Sequence, residues 1–184
     1  MTAPIVAALC GAFLLLSQQL ASAQELWRGA KYGMTPEQVH SLFPTVVTPS
    51  EPSVLGGPND APGTQLRGLR ELEDIAIARH DFKAIFYFQD KRLQQVTLKA
   101  KDLTDTTEAM VLFDSVSNLL REKYGQELSK TFKPSSSLSR AYGHWLSGGT
   151  HISVLALSVG DGSEDATVFN INYQTRLTGE ADNL

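Results

Sequence analysis

Four histidines, His40, His80, His144 and His151, are the side chains best suited to acid–base or metal chemistry near neutral pH. His80 stands beside Asp81. His144 and His151 flank the pair Gly148-Gly149, so a hairpin there would bring the two rings onto facing strands. Two such imidazoles joined by a carboxylate would hold zinc or copper. His144 and His151 are therefore the residues on which a metal-binding protein or a hydrolase would be built. The spacing supports neither, since the sequence has no H-x-H or H-E-x-x-H. A serine nucleophile lacks its G-x-S-x-G elbow, and Ser135-Ser136-Ser137 reads as a loop. Gly56-Gly57 and Gly148-Gly149 are not phosphate loops, because no G-K-[ST] follows either. The acidic residues are scattered, and nothing selects a pair for glycoside hydrolysis. The reading is therefore non-enzymatic: no catalytic residue, no metal ligand set and no cofactor is assigned.

Binding chemistry is better represented. In the run from Phe82 to Gln89, Phe82, Ala84, Phe86 and Phe88 fall on one side of a strand, and Lys83, Ile85 and Tyr87 fall on the other. His144 and Trp145 stand next to the glycine turn. A sheet face carrying Tyr and Trp among polar residues suits partner binding. Tyr87, His144 and Trp145 are the candidate binding residues.

The elements that position these residues can be read from spacing. Thr35-Pro36-Glu37-Gln38 is a helix start with a cap, a proline in the first turn and a capping-box partner. Pro44 ends that helix. Pro44, Pro49, Pro52, Pro58 and Pro62, with Gly56, Gly57 and Gly63, mark residues 44 to 65 as a long mobile loop. Strands follow at Ile75 and Ile77, at 82 to 89, and at Val96, Leu98 and Ala100, with Asp90-Lys91 as a tight turn. Residues 105 to 124 form the strongest helix, capped by Asp105 and ended by Gly125, with an apolar stripe of Ala109, Leu112, Phe113, Val116, Leu119 and Leu120. Three more strands lie at 142 to 146, at 151 to 159, and along Thr167, Phe169, Ile171 and Tyr173, with a turn at Gly160 to Ser163. This order of helix, three strands, helix, three strands predicts an α+β fold. It would consist of tandem helix-plus-three-strand units forming an antiparallel sheet with both helices packed on one face. The units would span 27 to 101 and 104 to 176 within a single domain from 24 to 177, ahead of a polar tail from 178 to 184.

Location is read from the first 23 residues, which carry no charged side chain. An apolar stretch from Ile5 to Leu16 is followed by Gln18-Gln19 and by Ala21-Ser22-Ala23, a small-x-small triplet. This is the pattern of a cleavable signal peptide, and the apolar stretch is too short to span a bilayer. It predicts a periplasmic or secreted protein with no transmembrane segment after cleavage. Cys10, the single cysteine, would leave with the signal, removing thiol chemistry and disulfides from the mature body. The formal net charge of -4 is spread along the chain, and no Lys/Arg cluster indicates nucleic acid.

Several motifs, taken in order, resemble a known group. They are Tyr32-Gly33-Met34-Thr35 with Glu37-Gln38-Val39, then Lys123-Tyr124-Gly125, Trp145, Thr150 to Val154, and Phe169 to Tyr173. In that order they resemble uncharacterised small exported bacterial proteins whose fold is similar to the outer-membrane assembly lipoprotein BamE (SmpA) and to β-lactamase inhibitory protein. The resemblance implies a binding or scaffolding role with a periplasmic or envelope protein as partner, and it carries over no catalytic residue. The chain departs from BamE in lacking a lipobox, because Leu9 precedes Cys10 and most of the apolar stretch follows it.

Overall fold

A computed structural model describes residues 24–57, 64–103, 105–133, 135, 138–159 and 166–175. The predicted signal segment (1 to 23), the tail (178 to 184), the turn at 160 to 163, residues 58 to 63 of the proline-rich loop, and Ser136 and Ser137 lie outside the described residues.

The chain begins with a small hairpin, β1 (Glu25–Trp27) and β2 (Ala30–Lys31). Helix α1 (Pro36–Leu42) follows, held by the capping box the sequence encodes. Gln38 N donates to Thr35 Oγ1 at 3.3 Å, and Thr35 N donates to Gln38 Oε1 at 2.8 Å. The main sheet is built from β3 (Val54–Leu55), β4 (Leu66–Ile77), β5 (His80–Gln89) and β6 (Arg92–Ala100), then β7 (Ser129–Lys133), β8 (Leu138–Ser147), β9 (Thr150–Val159) and β10 (Ala166–Thr175). Between these two sets runs α2 (Thr106–Tyr124), capped by Asp105 Oδ1, which accepts from Glu108 N at 2.8 Å, and ended at Gly125.

The spatial order is β3-β4-β5-β6-β10-β9-β8-β7, all antiparallel. Two meanders thus meet through their last strands, β6 and β10. This overturns the predicted α+β class of tandem helix-plus-three-strand units with helices packed on one face. The described residues are mostly β, 19% helical and 54% strand: one eight-stranded antiparallel sheet curled into a half-barrel and one small hairpin, plus two helices. The difference has a physical cause. Two stretches that carry no clean alternation, 54 to 55 and 129 to 133, pair as edge strands, and 66 to 74 extends the strand predicted at Ile75 and Ile77. The supposed free loop is also tied down, because Val47 bridges Glu71.

The core occupies one side of the sheet. Phe82, Phe86, Leu98, Ile152, Val154, Phe169 and Ile171 point into it, and α2 contributes Leu112, Phe113, Val116 and Leu120. Each such side chain, once buried, contributes roughly 1.5–3 kcal/mol of apolar transfer. At the far end Trp27, Phe43 and Phe86 form a ring cluster, with centroids 5.4–6.2 Å apart. No helix among the described residues is long and apolar enough to cross a membrane.

Candidate functional site

The alternate residues of the same strands make the opposite face of the sheet, and no described helix lies over it. Register aligns these residues in rows. One row runs Thr131, Tyr142, Leu155, Asn170, Lys99 and Lys83. The next runs Ser129, His144, Ser153, Asn172, Thr97, Ile85 and Glu71. The third runs Leu146, His151, Gln174, Gln95, Tyr87 and Gly68. The middle of this face is a polar network. Thr97 Oγ1 donates to Asn172 Oδ1 at 2.9 Å, Gln95 Nε2 donates to Thr97 Oγ1 at 2.9 Å, and Asn172 Nδ2 donates to Ser153 Oγ at 3.3 Å. Fully paired, such a network holds its side chains in one arrangement.

Two hollows flank the network. The first is a groove of about 350 Å³ between the 51–55 segment and the sheet, lined by Glu51, Ser53, Glu71, Lys83, Lys99 and Asn170 among others. Asn170 Oδ1, a buried acceptor in this groove, has no hydrogen-bond partner among the described residues. The second is a more apolar hollow of about 410 Å³ beside the edge strand β7, lined by Thr131, Lys133, Arg140, Tyr142, Leu155 and Leu157.

The structure separates the three candidate binding residues. Tyr87 lies on the polar face but is only 4% exposed, a wall of the groove rather than a protruding ring. Ser53 Oγ donates to its hydroxyl at 3.1 Å. Burial, with the Glu71 carboxylate adding to it, pushes the Tyr87 phenol above its ordinary range. His144 lies on the same face, half-buried. Trp145 does not. One residue further along β8, it points to the other side and is 0% exposed in the core. Its ring lies against Gly143, where an added Cβ would come within 2.9 Å of Cη2 and Cζ3. The structure thus places Trp145 in the core and off the polar face.

The two histidines of the hairpin do meet. His144 Nδ1 and His151 Nε2 are 2.7 Å apart, and the rings stack with centroids 4.9 Å apart. Gln174 Nε2 lies 3.0 Å from His151 Nδ1. With the Gln174 amide donating, His151 keeps its proton on Nε2 and gives that hydrogen bond to His144 Nδ1, so the His144 proton resides on Nε2. Tyr142 stands edge-on to His144 at 4.1 Å. Burial lowers the His144 basicity, as does the neighbouring His151, and burial lowers that of His151. Each ring spends a nitrogen on its neighbour, and no group of three His, Cys, Asp or Glu forms among the described residues. His40 and His80 lie elsewhere, His80 with Nδ1 3.7 Å from Glu108.

Asn170, Asn172, Thr97, Lys99, Arg140 and Leu155 were not singled out from the sequence. Their signal is present as polar residues at alternate positions of β10, Asn170-x-Asn172-x-Gln174, opposite Gln95-x-Thr97. Comparison with protein-family models, with curated proteins and with solved structures found no match.

Proposed function

We propose that this protein is an exported, non-enzymatic binding module whose polar sheet face receives a periplasmic or envelope protein. The observation that carries the reading is the second face of the sheet, over which no described helix lies, ordered by its own hydrogen bonds and bounded by a groove on one flank and an apolar hollow on the other. A face that was merely solvated would be indifferent to order. Here amides and hydroxyls are held in register, which lowers the entropy that a partner must overcome on docking. The signal-like first 23 residues support export to the periplasm or beyond. The order of motifs, which resembles that of small exported proteins, points the same way.

The test is affinity capture from an envelope extract of the source organism. The wild-type chain is compared with a Lys99→Glu, Tyr142→Ala variant, both changes lying in one row of the face. A specific protein retained by the wild type and lost by a variant with an unchanged circular dichroism spectrum is the expected result. Identical capture by both would contradict the reading.

A further inference from the structure

The sheet of the described residues ends at β7, which pairs only with β8 and is exposed along its whole length. Its outer N–H and C=O groups form an open ladder, the template to which an extended chain adds. The apolar hollow opens beside this edge, with Tyr142, Leu155 and Leu157 in its floor. At its end Lys133 and Arg140 face each other directly across the β7–β8 pair, an arrangement that repels. Four cations of the described residues have an acid beside them: Lys83 with Glu71, Lys130 with Asp114, Arg121 with Glu127, and Lys101 with Glu73. Lys83 also faces a cation, Lys99, yet Glu71 holds it at 3.1 Å. No such ion pair forms at Lys133 and Arg140 among the described residues, so a bound carboxylate there would relieve the repulsion.

From this edge and its charge we infer that the partner contributes an extended acidic segment that adds to β7 as a ninth strand. The inference rests on the binding reading above and specifies the chemistry of the partner. Residues two apart on a strand share a face. The segment therefore carries an apolar side chain opposite Thr131, over Tyr142 and Leu155, and an Asp or Glu two positions away, opposite Lys133.

The probe is a short threonine-rich peptide with Leu and Glu two positions apart, titrated into the full chain and followed by amide shifts and hydrogen exchange. Saturable binding with new protection of 129 to 133 is the expected result. Reversing the charges (Lys133→Glu with Arg140→Glu) is expected to weaken it about tenfold or more. A peptide with Lys in place of Glu should then regain affinity for the reversed variant. To test the ladder itself, Thr131→Pro and Phe132→Pro are compared. Neighbouring amides of a strand point to opposite sides, so one of the two removes an outward N–H while sparing the β7–β8 pairing. That folded variant should lose the peptide. Absent binding, equal binding to the charge-reversed variant, or protection confined to the 51–55 groove would each overturn the inference. So would concentration-dependent protection of β7 without peptide, which would identify a second copy as the occupant. Capture that survives the β7 changes but is lost with Lys99→Glu, Tyr142→Ala would overturn the edge proposal and leave the binding reading standing.

Discussion

A glycine and a tryptophan two residues apart show how single side chains allot the two faces of the sheet. Gly143 leaves room for the Trp145 ring, and Phe113 of α2 closes over the same spot. Gly143→Ala is expected to cost about 1–3 kcal/mol by overpacking a site that has nowhere to expand. Chemical denaturation checks the cost, and intrinsic fluorescence reports the shift of the indole. The sequence held enough to place Trp145 inward, because neighbouring strand residues alternate and His144 is outward. Proximity to the glycine turn obscured this, and the room made by Gly143 is visible only in three dimensions. The histidine pair was legible from its flanking glycines, but its link to Gln174 was not, since that residue arrives from β10. The pair also sets a pH dependence. Both histidines are less basic folded than unfolded, so the unfolded chain binds more protons as pH falls through the ordinary histidine value of about 6.5. Their contribution to stability is therefore complete above that value, declines as pH falls below it, and levels off beneath the folded-state values. His151→Gln is expected to flatten the difference in urea midpoint between about pH 7.5 and pH 5. An unchanged slope would show that the pair does not couple to folding.

Elements with alternating apolar residues were readable, and those at the sheet margins were not. Helix α2 and strands β5, β6, β9 and β10 each carry a regular set of apolar side chains on the core side, which is the pattern sequence reasoning detects. Strand β7 buries neither face, so Ser129–Lys133 has no pattern to detect. Most of β4 was hidden for another reason. Its pairing with β5 shifts register between Gly68 and Arg70 and again between Leu72 and Ile75, and Asp74 takes a φ of 59°. Each shift inverts the alternation, and a strand that changes phase twice reads as irregular. The connection from β4 to β5 carries a measurable cost. Ala78 and Arg79 hold φ values of 50° and 68°, the left-handed conformation of a two-residue hairpin turn, without the Asn or Gly that adopt it readily. Replacing the pair by Asn-Gly is expected to raise stability by roughly 1–2 kcal/mol. A rise in Tm with unchanged far-ultraviolet circular dichroism checks it, and a fall would show that the side chains at this turn make contacts worth more than the strain.

At the scale of the whole molecule, the two helices of the described residues were readable but the architecture they serve was not. Local spacing located α1 and α2 because caps and stripes are local signals. The union of both meanders in one curled sheet depends on β6 meeting β10, residues about 75 positions apart in sequence. No spacing rule reports such a pairing. Its consequence is functional, because it sets Thr97 against Asn172 and makes a single continuous polar face from two separately unremarkable strands. The claim that this face is where a partner docks is tested most directly by site-specific photocrosslinking in envelope extract. The crosslinker is placed in turn at Lys99, Tyr142 and Val168 on the face, and at Val111 and Leu119 on the exposed side of α2. One common adduct from the three face positions and none from the helix is the expected result. Adducts from α2 alone, or from neither set, would contradict it.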